Sequence, residues 1–171
     1  MAEIYLNDIA HGRSGDKGDT SNVCVYARKP EYYKIIEREV TPEKLKAYLD
    51  YIKDAVSYNK EAANNSATPY GDPWQIIYVF DNNPSTNVVC EGYAKAFKHL
   101  CDLTSFSESD LFCSLVTGTM TVGTSAGPHM WNIVTVGGRN YLVDVTNCDA
   151  DTVGAPDELF LCGAAENVPS K

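Results

Sequence analysis

Val88-Val89-Cys90-Glu91-Gly92-Tyr93-Ala94-Lys95-Ala96-Phe97 places a cysteine at the head of an apolar repeat, and how this run is read decides the fold. After Cys90, apolar side chains recur at Tyr93, Ala94, Phe97, Leu100 and Cys101, the three-to-four spacing of a half-buried helix. Pro84 is an upstream stop, and Ser85, Thr86 and Asn87 are available as N-caps. Cys90 is therefore expected in the first helical turn. Unpaired backbone N–H groups and the positive end of the helix dipole favour a thiolate over a thiol there. Most cysteines are small buried hydrophobes, so the run alone fixes a helix and leaves the role of the sulfur to its neighbours.

Two later stretches supply those neighbours. His129-Met130-Trp131-Asn132-Ile133-Val134-Thr135-Val136 and Asn140-Tyr141-Leu142-Val143-Asp144-Val145-Thr146 are rich in β-branched and aromatic residues, with Gly137-Gly138 between them. This predicts a β-hairpin. A tight turn on the glycine pair sets Asp144 nearly opposite Trp131, on the face that also carries His129. Diagonal neighbours in an antiparallel pair lie roughly 7–8 Å apart at the backbone, within reach of a carboxylate–imidazole contact. A slip of one residue would send the two to opposite faces. A helical cysteine, a histidine and an aspartate that orients it are the parts of a thiol-nucleophile triad.

Cys-Glu-Gly-Tyr-Ala at 90–94, His-Met-Trp-Asn at 129–132 and Tyr-Leu-Val-Asp-Val-Thr at 141–146 together resemble the transglutaminase-like superfamily of papain-related thiol enzymes, over about residues 70–165. The resemblance implies an α+β, papain-like core, a nucleophile helix packed on an antiparallel sheet, with Cys90, His129 and Asp144 catalytic. Met130 departs from the pattern, which more often has a small residue there. Members of the superfamily include transglutaminases, peptidases, amidases and inactive relatives, and the active ones share an acyl-enzyme route. The favoured expectation is peptidase- or amidase-like hydrolysis of a peptide or protein substrate. Transfer of a glutamine acyl group to an amine is the close alternative, and a catalytically silent protein-binding module the third. The backbone N–H of Cys90 is the natural first oxyanion donor. Gln75, with Trp131 and Asn132, is a candidate for the second donor or for supporting the triad; Trp74 and Tyr78 are further candidates. Trp74, Ile76 and Tyr78 also read as one face of a strand or as half of a buried helix.

Outward from this core the chain changes character. Ser57 to Gly71 is polar, with Asn59, Asn64, Asn65, Ser66, Thr68 and Pro69, and reads as a linker or frayed helix end between an appended segment 1–56 and a core 72–171. Phe112 to Thr117 reads as a strand, the polar stretch 105–110 as a loop, and the glycine- and threonine-rich stretch 118–127 as a loop bordering the cleft. Upstream, Ile4-Tyr5-Leu6 and Val23-Cys24-Val25-Tyr26 read as strands around a glycine-spaced loop at 11–20, which matches neither the phosphate-loop nor the dinucleotide pattern. A short helix from Pro30 and a second from Thr41, with Pro42 in its first turn and an apolar stripe of Leu45, Tyr48, Leu49 and Ile52, follow. Residues 4–50, with Asp-Ile-Ala-His-Gly-Arg-Ser-Gly-Asp-Lys-Gly-Asp-Thr-Ser-Asn at 8–22, resemble part of the small domain of acyclic terpene utilisation proteins. That segment is either recruited into one fold or the first part of a chimera.

Composition bounds the remaining choices. A chain of 171 residues with 44% hydrophobic content suits one domain, or one with a small appendage. Net charge of −9 argues against a nucleic-acid partner. No apolar run suggests a membrane span or signal segment, so the expectation is cytoplasmic, with an extracellular location open if an export signal has been removed. The six cysteines contain no Cys-x-x-Cys pair and the three histidines are scattered, so neither a metal nor another cofactor is expected. Asp149, Asp151 and Asp157 lack calcium-loop spacing.

Overall fold

The Gly137–Gly138 turn organises the last part of the chain. Both glycines have positive φ, +56° and +72°, the left-handed pair that a two-residue hairpin needs. They join β6 (Ser125–Val136) to β7 (Arg139–Val143) with Val136 opposite Arg139 and Asn132 opposite Val143. The computed structural model describes residues 10–17, 20–65, 67, 71–83, 85–104, 106, 111–150, 152 and 156–163; for 10–17, 20–27 and 33–41 it describes backbone alone. The expected strand at 4–6 and nearly all of the expected loop at 105–110 lie outside the described residues. The fold is mixed α/β and divides into two compact units, Met1–Lys44 and Leu45–Lys171.

In the first unit β1 (Ala10–Lys17) and β2 (Thr20–Ala27) pair antiparallel, from Ala10 opposite Ala27 to Lys17 opposite Thr20. This corrects the reading of 11–17 as loop: Gly12 and Gly15 sit within a continuous ladder, which forms despite the weak strand preference of glycine. A 3-10 turn (Pro30–Tyr32) leads into α1 (Tyr33–Ala55). The two expected helices are thus one, with Pro42 inside it and Thr41 no cap. A proline in a helix interior forfeits one hydrogen bond and crowds the preceding turn. The residues just after it, Leu45, Leu49 and Ile52, are at most 1% exposed, and their burial offsets that cost.

The second unit holds the core. Leu45, Leu49 and Ile52 from the end of α1, and Val56 just after it, bury together with Val79, Val88, Tyr93, Phe97, Val134, Val143 and Val145. Within the polar stretch from Ser57, β3 (Ser57–Tyr58) pairs parallel with β4 (Asn87–Val88), and α2 (Lys60–Asn64) follows, capped by Asn59. The stretch from Trp74 is a helix rather than a strand, α3 (Trp74–Val79). Helix α4 (Cys90–Leu103) buries Tyr93, Ala94, Ala96, Phe97 and Cys101. Its N-cap is Val89, with extended backbone and no capping side chain, so Ser85, Thr86 and Asn87 do not cap it.

Beneath α4 lies a four-stranded antiparallel sheet in the order β5-β6-β7-β8, with β5 spanning Phe112–Val122 and β8 Phe160–Gly163. The expected cleft-side loop at 118–127 is instead the end of a long hairpin that turns at Gly123–Thr124, with Val122 opposite Ser125. Alternating threonines sustain the strand. Gly118 has a packing reason: a Cβ there would lie 2.7 Å from Cη2 of Trp131, whose indole crosses over it. Among the described residues no helix is long and apolar enough to cross a membrane.

Candidate functional site

The start of α4 and the β5–β6 hairpin bound a cleft of about 870 Å³, lined among others by Tyr58, Cys90, Glu91, Gly118, His129 and Met130. Cys90 is a free, half-buried thiol in the first turn. The backbone just ahead of it is pinned by Gln75, whose Oε1 accepts the Val89 N–H at 3.0 Å. Just after it, Gly92 presses on Val88: a Cβ would lie 2.6 Å from Val88 Cβ and 3.0 Å from the Gln75 carbonyl. Glycine is needed there because β4 and α4 approach this closely. Glu91, 4% exposed, accepts the Gly71 N–H on Oε2 at 3.1 Å and sets Oε1 2.5 Å from Lys95 Nζ, so the carboxylate beside the thiol is compensated.

His129 and Asp144 meet. The imidazole Nε2 lies 2.7 Å from Asp144 Oδ2, with the side chains 9% and 7% exposed. The hairpin register places Asp144 one step beyond the Asn132–Val143 pair, opposite Trp131, which is the diagonal arrangement expected from the turn. Burial of His129 opposes its charged form, but hydrogen bonds and charges from Asp144 and Cys90 outweigh that and push its pKa up to about 9. The ring is therefore charged at neutral pH, and Nε2–H donates to the carboxylate. The Cys90 side chain lies near enough to the ring to contribute to that shift. Trp131 stacks on the imidazole, with centroids 5.8 Å apart and planes 20° from parallel.

Asn147 completes this side. It lies in a 3-10 turn (Thr146–Cys148) just after β7, is buried, and donates its backbone N–H to Asp144 Oδ1 at 3.2 Å and its Nδ2 to Oδ2 at 2.7 Å. Its Nδ2 also lies 3.1 Å from Met120 Sδ and 3.2 Å from His129 Nε2. Sequence reasoning missed it, although an Asp three residues before an Asn is the spacing of a side chain that closes a local turn.

The remaining candidates hold the scaffold. Gln75 and Asn132 do not line the cleft. Asn132, fully buried, donates Nδ2 to the Ala94 carbonyl at 3.0 Å and so fastens α4 to β6. Trp74 is 55% exposed and stacks on Tyr78, with centroids 6.2 Å apart. Gln75 Oε1 and Asn132 Nδ2 are thus spent on backbone, while Asn132 Oδ1 is buried with no hydrogen-bond partner among the described residues. Cys101, Cys113 and Cys148 are buried among core side chains, and burial pushes the Cys148 thiol up to about 12. Among the described residues no group of three or more His, Cys, Asp or Glu side chains could hold a metal ion.

Residues 4–96 match the family model described as the AtuA ferredoxin-like domain. This agrees with the resemblance read over 4–50 and extends it to the first half of α4, so that Cys90 falls inside the matched stretch while His129 and Asp144 follow it. No curated protein matches the chain.

Proposed function

We propose, for a chain that belongs to the AtuA ferredoxin-like domain family through residues 4–96, that its cleft carries out thiol-dependent acyl-enzyme chemistry on peptide or amide substrates. The observation that carries this reading is that Cys90 and His129, from two separate elements, line one cleft, with Asp144 paired to His129 Nε2. The helix-on-antiparallel-sheet setting is the one a transglutaminase-like core requires, and it supports the reading further.

In this mechanism the Cys90 sulfur, its proton held by His129, attacks the acyl carbon. Asp144 keeps Nε2–H fixed and stabilises the imidazolium, and His129 returns the proton to the leaving amine as the thioester forms. The N–H groups at the uncapped start of α4, that of Cys90 first, stabilise the developing oxyanion. Water then resolves the thioester, with His129 as base. Water is favoured as acceptor because the cleft is walled by exposed residues, Lys60, Asn64, Thr117 and Pro128 among them, which leave it wet.

The test incubates the full chain with a glutamine-containing peptide and a labelled amine, read by mass spectrometry. Peptide cleavage or ammonia release without amine incorporation, lost in Cys90→Ala, is the expected result. Incorporated amine would turn the reading to acyl transfer. No product, together with iodoacetamide alkylating Cys90 no faster than the similarly half-exposed Cys162, would remove the enzyme reading altogether.

A further inference from the structure

The proposed oxyanion site takes its first donor, the Cys90 N–H, from the start of α4, and neither Gln75 nor Asn132 lines the cleft to supply a second. One phenol faces the same cleft. Tyr58 ends β3, whose pairing sets it beside Val88, two residues before Cys90, and the next residue, Asn59, donates its N–H to the Val88 carbonyl at 2.9 Å. Its ring is half-buried against Tyr93, with centroids 6.4 Å apart, which holds it in place. Tyr58 lines the cleft together with Cys90 and His129, and among the described residues no hydrogen bond of its hydroxyl is found. Burial first, then the charges of Cys90 and Asp144, raise its pKa above the usual phenol value, so it stays protonated and is a donor at neutral pH.

Resting on the acyl-enzyme reading above, we infer that Tyr58 is a catalytic residue whose hydroxyl donates the second hydrogen bond to the substrate's acyl oxygen as it becomes an oxyanion. The Cys90 sulfur forms its bond to the acyl carbon, the C=O π pair moves onto oxygen, and Tyr58 O–H and Cys90 N–H hold that charge. Collapse of the tetrahedral species re-forms C=O and breaks the bond to the leaving group, and the Tyr58 proton never transfers. This role suits a residue whose ring is held against Tyr93 at the cleft.

The test uses two probes on the full chain. p-Nitrophenyl acetate acylates a thiol through an oxyanion: the S–C bond forms, the ester C–O bond breaks and p-nitrophenolate leaves. Iodoacetamide alkylates the same sulfur by displacing iodide, with no oxyanion. Tyr58→Phe keeps the ring against Tyr93 and removes only the donor. It is expected to slow acylation of Cys90 by about 10²-fold while leaving its alkylation within about twofold. Equal slowing of both reactions would make Tyr58 a residue acting through the thiol, and no slowing of either would leave it without a role; each overturns the inference. Failure of the underlying enzyme reading is seen separately, in the unsubstituted chain, as acylation of Cys90 no faster than of Cys162.

Discussion

On the sulfur side of the cleft the backbone is held by packing, whereas on the ring side the functional atoms are held by charge. Cys90 sits between Val89, pinned by Gln75, and Gly92, pressed on Val88. His129 instead owes its orientation to a buried carboxylate that is itself held by two donors from Asn147. Close packing is indifferent to pH, while a carboxylate–imidazolium pair exists only while the ring keeps its proton. The two sides are therefore separable by experiment.

The largest effect should come from discharging the ring side. Asp144→Asn keeps the shape but removes the charge behind the imidazole, and acylation of Cys90 by p-nitrophenyl acetate at neutral pH should slow by about 10³-fold, or about 4 kcal/mol. An unchanged rate would mean that Asp144 holds a turn and nothing more.

Next is the stability of the pair. His129 has its pKa raised from 6.5 to about 9 on folding, so its contribution is complete below pH 6.5 and is lost as pH rises through about 9. Urea unfolding of the wild type and of His129→Gln should differ by up to roughly 3 kcal/mol more at the acid end of that window than above it. A difference constant across the window would break the contrast with the sulfur side.

How much of this was readable follows the same division. The helix from Cys90 and the turn on Gly137–Gly138 are local signals, and once the turn is fixed, strand parity carries Asp144 to His129 without any knowledge of the core. The stretch 118–127 was opaque because its glycines read as loop, when Gly118 is small to admit the Trp131 indole from the neighbouring strand. Helix α1 was opaque at Pro42, where a local breaker is overruled by burial of Leu45, Leu49 and Ile52. Tyr58 was hidden in a polar stretch that resembles a linker until its two-residue parallel pairing with β4 is seen. The bracing roles of Gln75 and Asn132 likewise depend on which backbone atoms lie opposite them, and no spacing rule encodes that.

Asn147 tests whether the ring side depends on more than Asp144. Asn147→Ala removes the Nδ2 donor to Oδ2 and spares the backbone donor to Oδ1, leaving a buried carboxylate oxygen with one partner fewer. The expected cost is about 2 kcal/mol in urea unfolding at neutral pH, the scale of a hydrogen bond to a charged group. A cost near zero would show that His129 and the backbone N–H of residue 147 suffice to hold the carboxylate.

The smallest effect, and the sharpest check of the sulfur side, is Gly92→Ala. A methyl there meets Val88 Cβ at 2.6 Å, Val88 Cγ2 at 2.8 Å and the Gln75 carbonyl at 3.0 Å, so β4 or α3 must move. Overpacking of this kind costs roughly 1–3 kcal/mol, and alanine returns about 1 kcal/mol in helix propensity, for a net loss of about 1 kcal/mol. None of the groups that clash titrates, so the loss should be the same on either side of the His129 transition. The displaced Val88 leads directly into Cys90, so acylation should fall a few-fold with the shape of its pH profile unchanged. A loss that grew or shrank as the ring titrates would mean that packing at α4 and charge at His129 are coupled through the cleft, and the separation of the two sides would fail.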